Sequence, residues 1–79
     1  MAKSPSYGSI KTAALVGVSL RQLYYWVDVR HVVRPSVRAH GTRRFRHFSA
    51  RDVRTLKRVA MLLERGYTLK AAVRSATRS

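Results

Sequence analysis

The stretch "VRAHGTRRFRHF", Val37 to Phe48, gathers Arg38, Arg43, Arg44, Arg46, His40 and His47 around one glycine and contains no carboxylate. A guanidinium offers a planar fork of donors that matches a phosphate or the edge of a guanine better than an ammonium does. The chemistry this cluster can do is therefore recognition of a polyanion. A tight turn at Gly41 can aim the arginines from a narrow ribbon, and a narrow minor groove concentrates the negative potential that attracts them. A loop needed only for solubility would more often mix both signs. The candidate contacts on this ribbon are Arg38, His40, Thr42, Arg43, Arg44 and Arg46.

The whole chain shares the bias. It has 79 residues, with 17 Lys plus Arg against 3 Asp plus Glu, for a formal charge of +14. Such an excess opposes compact folding by self-repulsion, and a polyanion partner relieves it. Thirteen of the cations are arginines, which ranks nucleic acid above a generic acidic partner. The length suits one small domain with one modest core. With no cysteine there is neither a disulfide framework nor a thiolate zinc site. His31, His40 and His47 lack the i, i+4 spacing of a helical metal pair, and Asp28, Asp52 and Glu64 are not spaced for acid–base catalysis. No metal, cofactor or enzymatic activity is expected. The apolar runs "AALVGV" and "VAMLL" are too short to span a bilayer, so a cytoplasmic, nucleoid-associated protein without a membrane partner is expected.

Local signals assign the elements that must carry these residues. Met1 to Ser6 is polar with a proline and is expected to fray, leaving 7–79 as the folded domain. Ser9 is a candidate N-cap for a helix over Ile10 to Val16, with Ile10, Ala13, Ala14 and Val18 toward the core and Gly17 as the stop. Ser19 caps a second helix, Leu20 to Val27, that turns Leu23 and Trp26 or Val27 inward and leaves Arg21, Gln22, Tyr24 and Tyr25 nearer solvent. The alternating stretches Ser36 to Ala39 and Arg43 to Phe48 read as a two-stranded hairpin, with Phe48 inward and the side of Phe45 set by the register. Ser49 and Asp52 form a capping box before a third helix, Ala50 to Arg65, carrying Val53, Leu56, Val59, Ala60 and Leu63 at helical spacing. Gly66 ends it, and Thr68 caps a fourth helix, Leu69 to Ala76, with Leu69, Ala72, Val73 and Ala76 on one side. Arg51, Arg54 and Arg58 on the third helix serve either as a phosphate-holding flank or as a plain solvated face.

This order, together with "SIKTAALVGVSLRQLYYW" from Ser9 to Trp26, Pro35, "RHFSARDV" from Arg46 to Val53 and "ERGYTL" from Glu64 to Leu69, resembles the DNA-binding domain of MerR-type regulators. The resemblance covers nearly the whole chain. It implies a mainly α fold, a winged helix-turn-helix of about four helices with a small two-stranded hairpin wing. It also implies that the second helix enters the major groove while the wing touches the minor groove or backbone. Ser19, Arg21 and Tyr24 would then face base edges or adjacent phosphates, Gln22 would share that exposed side, and Tyr25 would donate its hydroxyl to a phosphate. Three departures are visible: Tyr24 stands where the family usually has Arg or His, "VDVRHVV" replaces its usual Gly-Leu before the proline, and the wing "RAHGTRRFRHF" is slightly longer than is common. Family members typically continue into a dimerising helix and an effector domain, so the 79 residues correspond to a minimal form or a fragment, and no inducer pocket is assigned.

The expected function is sequence-preferring binding of double-stranded DNA by a small transcriptional regulator, acting as a dimer or as copies side by side, with RNA polymerase as a further partner. An excisionase-like, DNA-bending factor working with an integrase is the second reading. An RNA-binding or ribosome-associated basic protein is the third, disfavoured because no aromatic sheet platform for stacking single-stranded bases is apparent.

Overall fold

A computed structural model describes residues 6–77, apart from the side chain of His40. In chain order the elements are β1 (Ser6–Tyr7), α1 (Ser9–Val16), α2 (Leu20–Tyr24) running on into a π-helical turn (Tyr25–Val29), β2 (Ser36–His40), β3 (Arg43–Ser49), α3 (Ala50–Glu64) and α4 (Leu69–Thr77). The fold is the mainly α winged helix-turn-helix expected, with one strand more. Residues 1–5 of the segment expected to fray lie outside the described residues, while Ser6 and Tyr7 pair antiparallel with Ser49 and Phe48. The sheet is therefore three-stranded, in the order β1-β3-β2.

The α1–α2 junction follows from its sequence. Gly17 takes a left-handed φ of 85°, where a side chain would be strained, and the N–H groups of Gly17 and Val18 both donate to the Ala13 carbonyl. Ser19 then accepts from the N–H of Gln22 at 3.1 Å, so the second helix starts where the first has just been closed. Two details of α1 differ from expectation. Its N-cap is Gly8, with Ser9 already helical, because β1 pairing delivers the chain to the helix one residue earlier. Its buried face is Thr12, Ala13 and Val16, whereas Ile10 is 75% exposed and Ala14 is also exposed. Val18 lies beyond the helix end and is only partly buried against the core. A helix of two turns shows too few periods to fix its inner face from sequence.

Around this pair the core closes on Leu23, Trp26, Phe48, Leu56 and Val59, all essentially fully buried. Trp26 and Val27 are both inside, the π-helical turn supplying the extra width that turns both inward. On α3 the capping box is complete: Ser49 Oγ accepts from the Asp52 N–H at 3.0 Å and Asp52 Oδ2 from the Ser49 N–H at 3.1 Å. Leu62 joins Val53, Leu56 and Val59 in the core, while Ala60 and Leu63 are partly buried beside it. The helix closes as the N–H groups of Gly66 and Tyr67 return to the carbonyls of Leu63 and Leu62. Thr68 caps α4 through the Ala71 N–H, and Ala72 is its buried anchor.

Candidate nucleic-acid interface

The capped start of α2 presents Ser19, Arg21 and Gln22 to solvent, and the following turn presents Tyr25, which is 46% exposed. These four side chains share one shallow concavity of about 530 Å³ with Trp26, Leu63 and Leu69, so the α3–α4 junction forms its far wall. Tyr24, one residue earlier, points elsewhere. It is half-buried and lines a second concavity of about 540 Å³ with Ile10, Arg44, Phe45, Arg46 and His47, against the base of the ribbon. The two adjacent tyrosines lie about 100° apart on the helix, which puts them on opposite flanks of an exposed ridge.

On the ribbon, His40 pairs directly with Arg43 across the two-residue turn Gly41–Thr42. Gly41 has φ 64°, the positive angle that the first central residue of a type II′ hairpin turn requires. The register also assigns the faces. Arg44 and Arg46 stand on the side of buried Phe48, opposite Ala39 and Val37, while Phe45 stands on the other side opposite Arg38 and is 43% exposed. Arg38, Thr42, Arg43 and Arg44 are all exposed. The side chain of His40 lies outside the described residues.

Arg46 is placed differently from its neighbours. Its Nη2 donates to both carboxylate oxygens of Asp28, at 2.8 and 3.0 Å, and its guanidinium lies 4.7 Å from the centroid of the Tyr24 ring. Among the described residues this is the one ion pair. With the two side chains 32% and 48% exposed, it adds little to stability, about 1 kcal/mol at most. Its consequence is geometric: one side chain of β3 is tied to the last residue of α2 and to the π-helical turn that follows it.

Reading the sequence alone leaves two parts of this surface unseen. The pair of Asp28 with Arg46 spans 18 residues and has no local signal. The α3–α4 junction is also missed as a wall of the interface, although the i, i+4 spacing of Lys70 and Arg74 on the outer side of α4 could have drawn attention to it. Those two cations meet Arg30, Val29 and Val73 around a further cleft of about 380 Å³.

The sequence pattern of the MerR HTH family regulatory protein matches residues 9–78, running from the first residue of α1 to just past α4. The chain belongs to the MerR HTH family. No curated protein matches it as a relative. Membership in this family of DNA-binding regulators makes double-stranded DNA the partner of the MerR-type fold described above. No helix among the described residues is long and apolar enough to cross a membrane.

Proposed function

We propose that this MerR-family protein is a sequence-preferring reader of double-stranded DNA that regulates transcription, with Arg21, Gln22 and Tyr25 directed at the major groove or its phosphates and Arg38, Thr42, Arg43 and Arg44 directed at the neighbouring minor groove or backbone. The observation that carries the reading is the exposed ridge of the capped second helix flanked by a basic two-stranded ribbon without a compensating carboxylate at its tip. Arg46 acts through position: held by Asp28 and Tyr24, it sets the angle between ribbon and helix. Ser19 contributes its cap and an exposed first-turn backbone suited to a phosphate.

The test is selection of bound duplexes from a random library, followed by mobility shifts of the winners at about 50 and 200 mM salt, over which six to ten phosphate contacts cost about a thousandfold or more. An enriched motif with that steep dependence supports the reading, and the spacing of repeats reports whether copies bind as a symmetric pair or side by side. Motif positions in promoters favour the regulator, whereas positions beside a recombination core favour an excisionase-like role. Steep salt dependence with no enriched motif, or preference for RNA in direct competition, overturns it.

A further inference from the structure

The outer face of α3 is as basic as the recognition surface and points away from it. Arg51, Arg54, Lys57 and Arg58 are exposed on this helix and Arg65 at its C-cap, with Met61 among them. No carboxylate among the described residues lies within ion-pair distance of any of the five. Glu64 sits only at the margin of the face. Leu63 of the same helix borders Arg21, Gln22 and Tyr25. Arg54 is nine residues before Leu63, two and a half turns, so the two side chains leave the helix about 180° apart. A cation at Arg54 or Arg58 is thus turned from the duplex that α2 would hold.

The face is large enough for a backbone. From Arg51 to Arg65 it runs about 21 Å, along which each strand of a duplex presents about six phosphates. Four of the five cations are arginines, the residue that matches phosphate geometry best. The recognition helix and ribbon offer four cations without a carboxylate partner, Arg21, Arg38, Arg43 and Arg44, so the back of the molecule carries at least as much unpaired charge as the front. A solvated surface evolved only for solubility would mix signs.

We propose that the exposed face of α3 is a second DNA-binding surface, which grips the phosphate backbone of another duplex segment without reading sequence while the recognition helix and wing hold the first, so that one chain bridges two stretches of DNA. This inference rests on the DNA-binding reading above. Charge complementarity favours a duplex over an acidic protein because the first duplex already brings neighbouring DNA to the molecule at high local concentration.

The experiment uses the full chain. A duplex carrying the selected motif is immobilised, loaded with protein at low salt, and offered a labelled duplex of unrelated sequence. Capture of the label is expected. The triple variant Arg54→Gln, Lys57→Gln, Arg58→Gln should lower capture by about tenfold or more while its affinity for the single motif duplex changes by less than about twofold. The charge-retaining double variant Arg54→Lys, Arg58→Lys should keep capture and serves as the control for folding. Absence of capture with intact binding to the first duplex overturns this inference alone. So does unchanged capture by the triple variant, which would assign bridging to self-association, and so does a parallel loss of both activities, which would make α3 a flank of the first duplex. Retention of soluble polyglutamate but not of the second duplex would assign the face to an acidic protein. Failure to bind the first duplex at all overturns both readings.

Discussion

At the residue scale, Thr12, His31 and Arg21 each carry a separable consequence. Thr12 is fully buried on α1 and its Oγ1 has no hydrogen-bond partner, so the hydroxyl is desolvated without compensation. Thr12→Val should therefore raise stability by about 1 kcal/mol, seen as a higher urea midpoint at unchanged slope, whereas Thr12→Ser should lower it by losing the packed methyl and keeping the orphan hydroxyl. His31 adopts φ 52° just past Arg30, the C-cap of the π-helical turn, and among the described residues it is the one non-glycine residue with a positive φ. A left-handed non-glycine residue costs about 1–2 kcal/mol, partly offset by the greater freedom glycine loses on folding, so His31→Gly should stabilise by about 0.5–1 kcal/mol. Thermal unfolding of the pair of proteins checks it, and a loss of stability would mean that the exposed imidazole makes a contact worth more than the strain. For Arg21, truncation to alanine should relax preference at one base pair, at about 1–3 kcal/mol, in a repeat of the library selection. A uniform loss across all sequences would assign it to the backbone instead.

At the scale of elements, the decisive contact is Arg46 on β3 with Asp28 in the π-helical turn and the Tyr24 ring on α2. Removing a carboxylate near a DNA-binding surface should, by charge alone, strengthen binding to every sequence. If the pair orients the wing, Asp28→Ala should do something less simple. The freed Arg46 should raise the salt slope by about one, while the ratio of specific to non-specific affinity falls several-fold because the wing no longer keeps its angle. Titrations of motif and scrambled duplexes at several salt concentrations separate the two effects, and an unchanged ratio would reduce the pair to an incidental surface contact. The same elements explain what the sequence made legible. The box of Ser49 and Asp52, the long apolar period of α3 and the Gly17–Ser19 junction are local patterns with a local physical cause, and each is found where expected. β1 has two residues and no period to detect. The Asp28–Arg46 pair forms only when the ribbon packs on the helix, and in the sequence Arg46 is one of four arginines of the ribbon with nothing to set it apart.

At the scale of the whole molecule, charge and size set two opposing responses to salt. The chain bears a formal charge of +14 within Cα extents of 41 × 31 × 19 Å. At about 10 mM salt the screening length is about 30 Å, so nearly every cation is repelled by every other; at about 150 mM it is about 8 Å and repulsion is confined to neighbours. Folding gathers those charges, so added salt should raise the thermal midpoint of the free protein by several degrees, on a scale where about 1 kcal/mol corresponds to about 4–8 °C for a domain of this size. DNA binding reverses the sign, since released counterions drive it and added salt withdraws that drive. The midpoint of the DNA complex should accordingly fall with salt and converge on the rising curve of the free protein. Thermal scans of both samples across this range test the idea directly: a free-protein midpoint that does not rise would show that the cations are already neutralised within the fold, and parallel rising curves would show that the complex is not held by phosphate contacts.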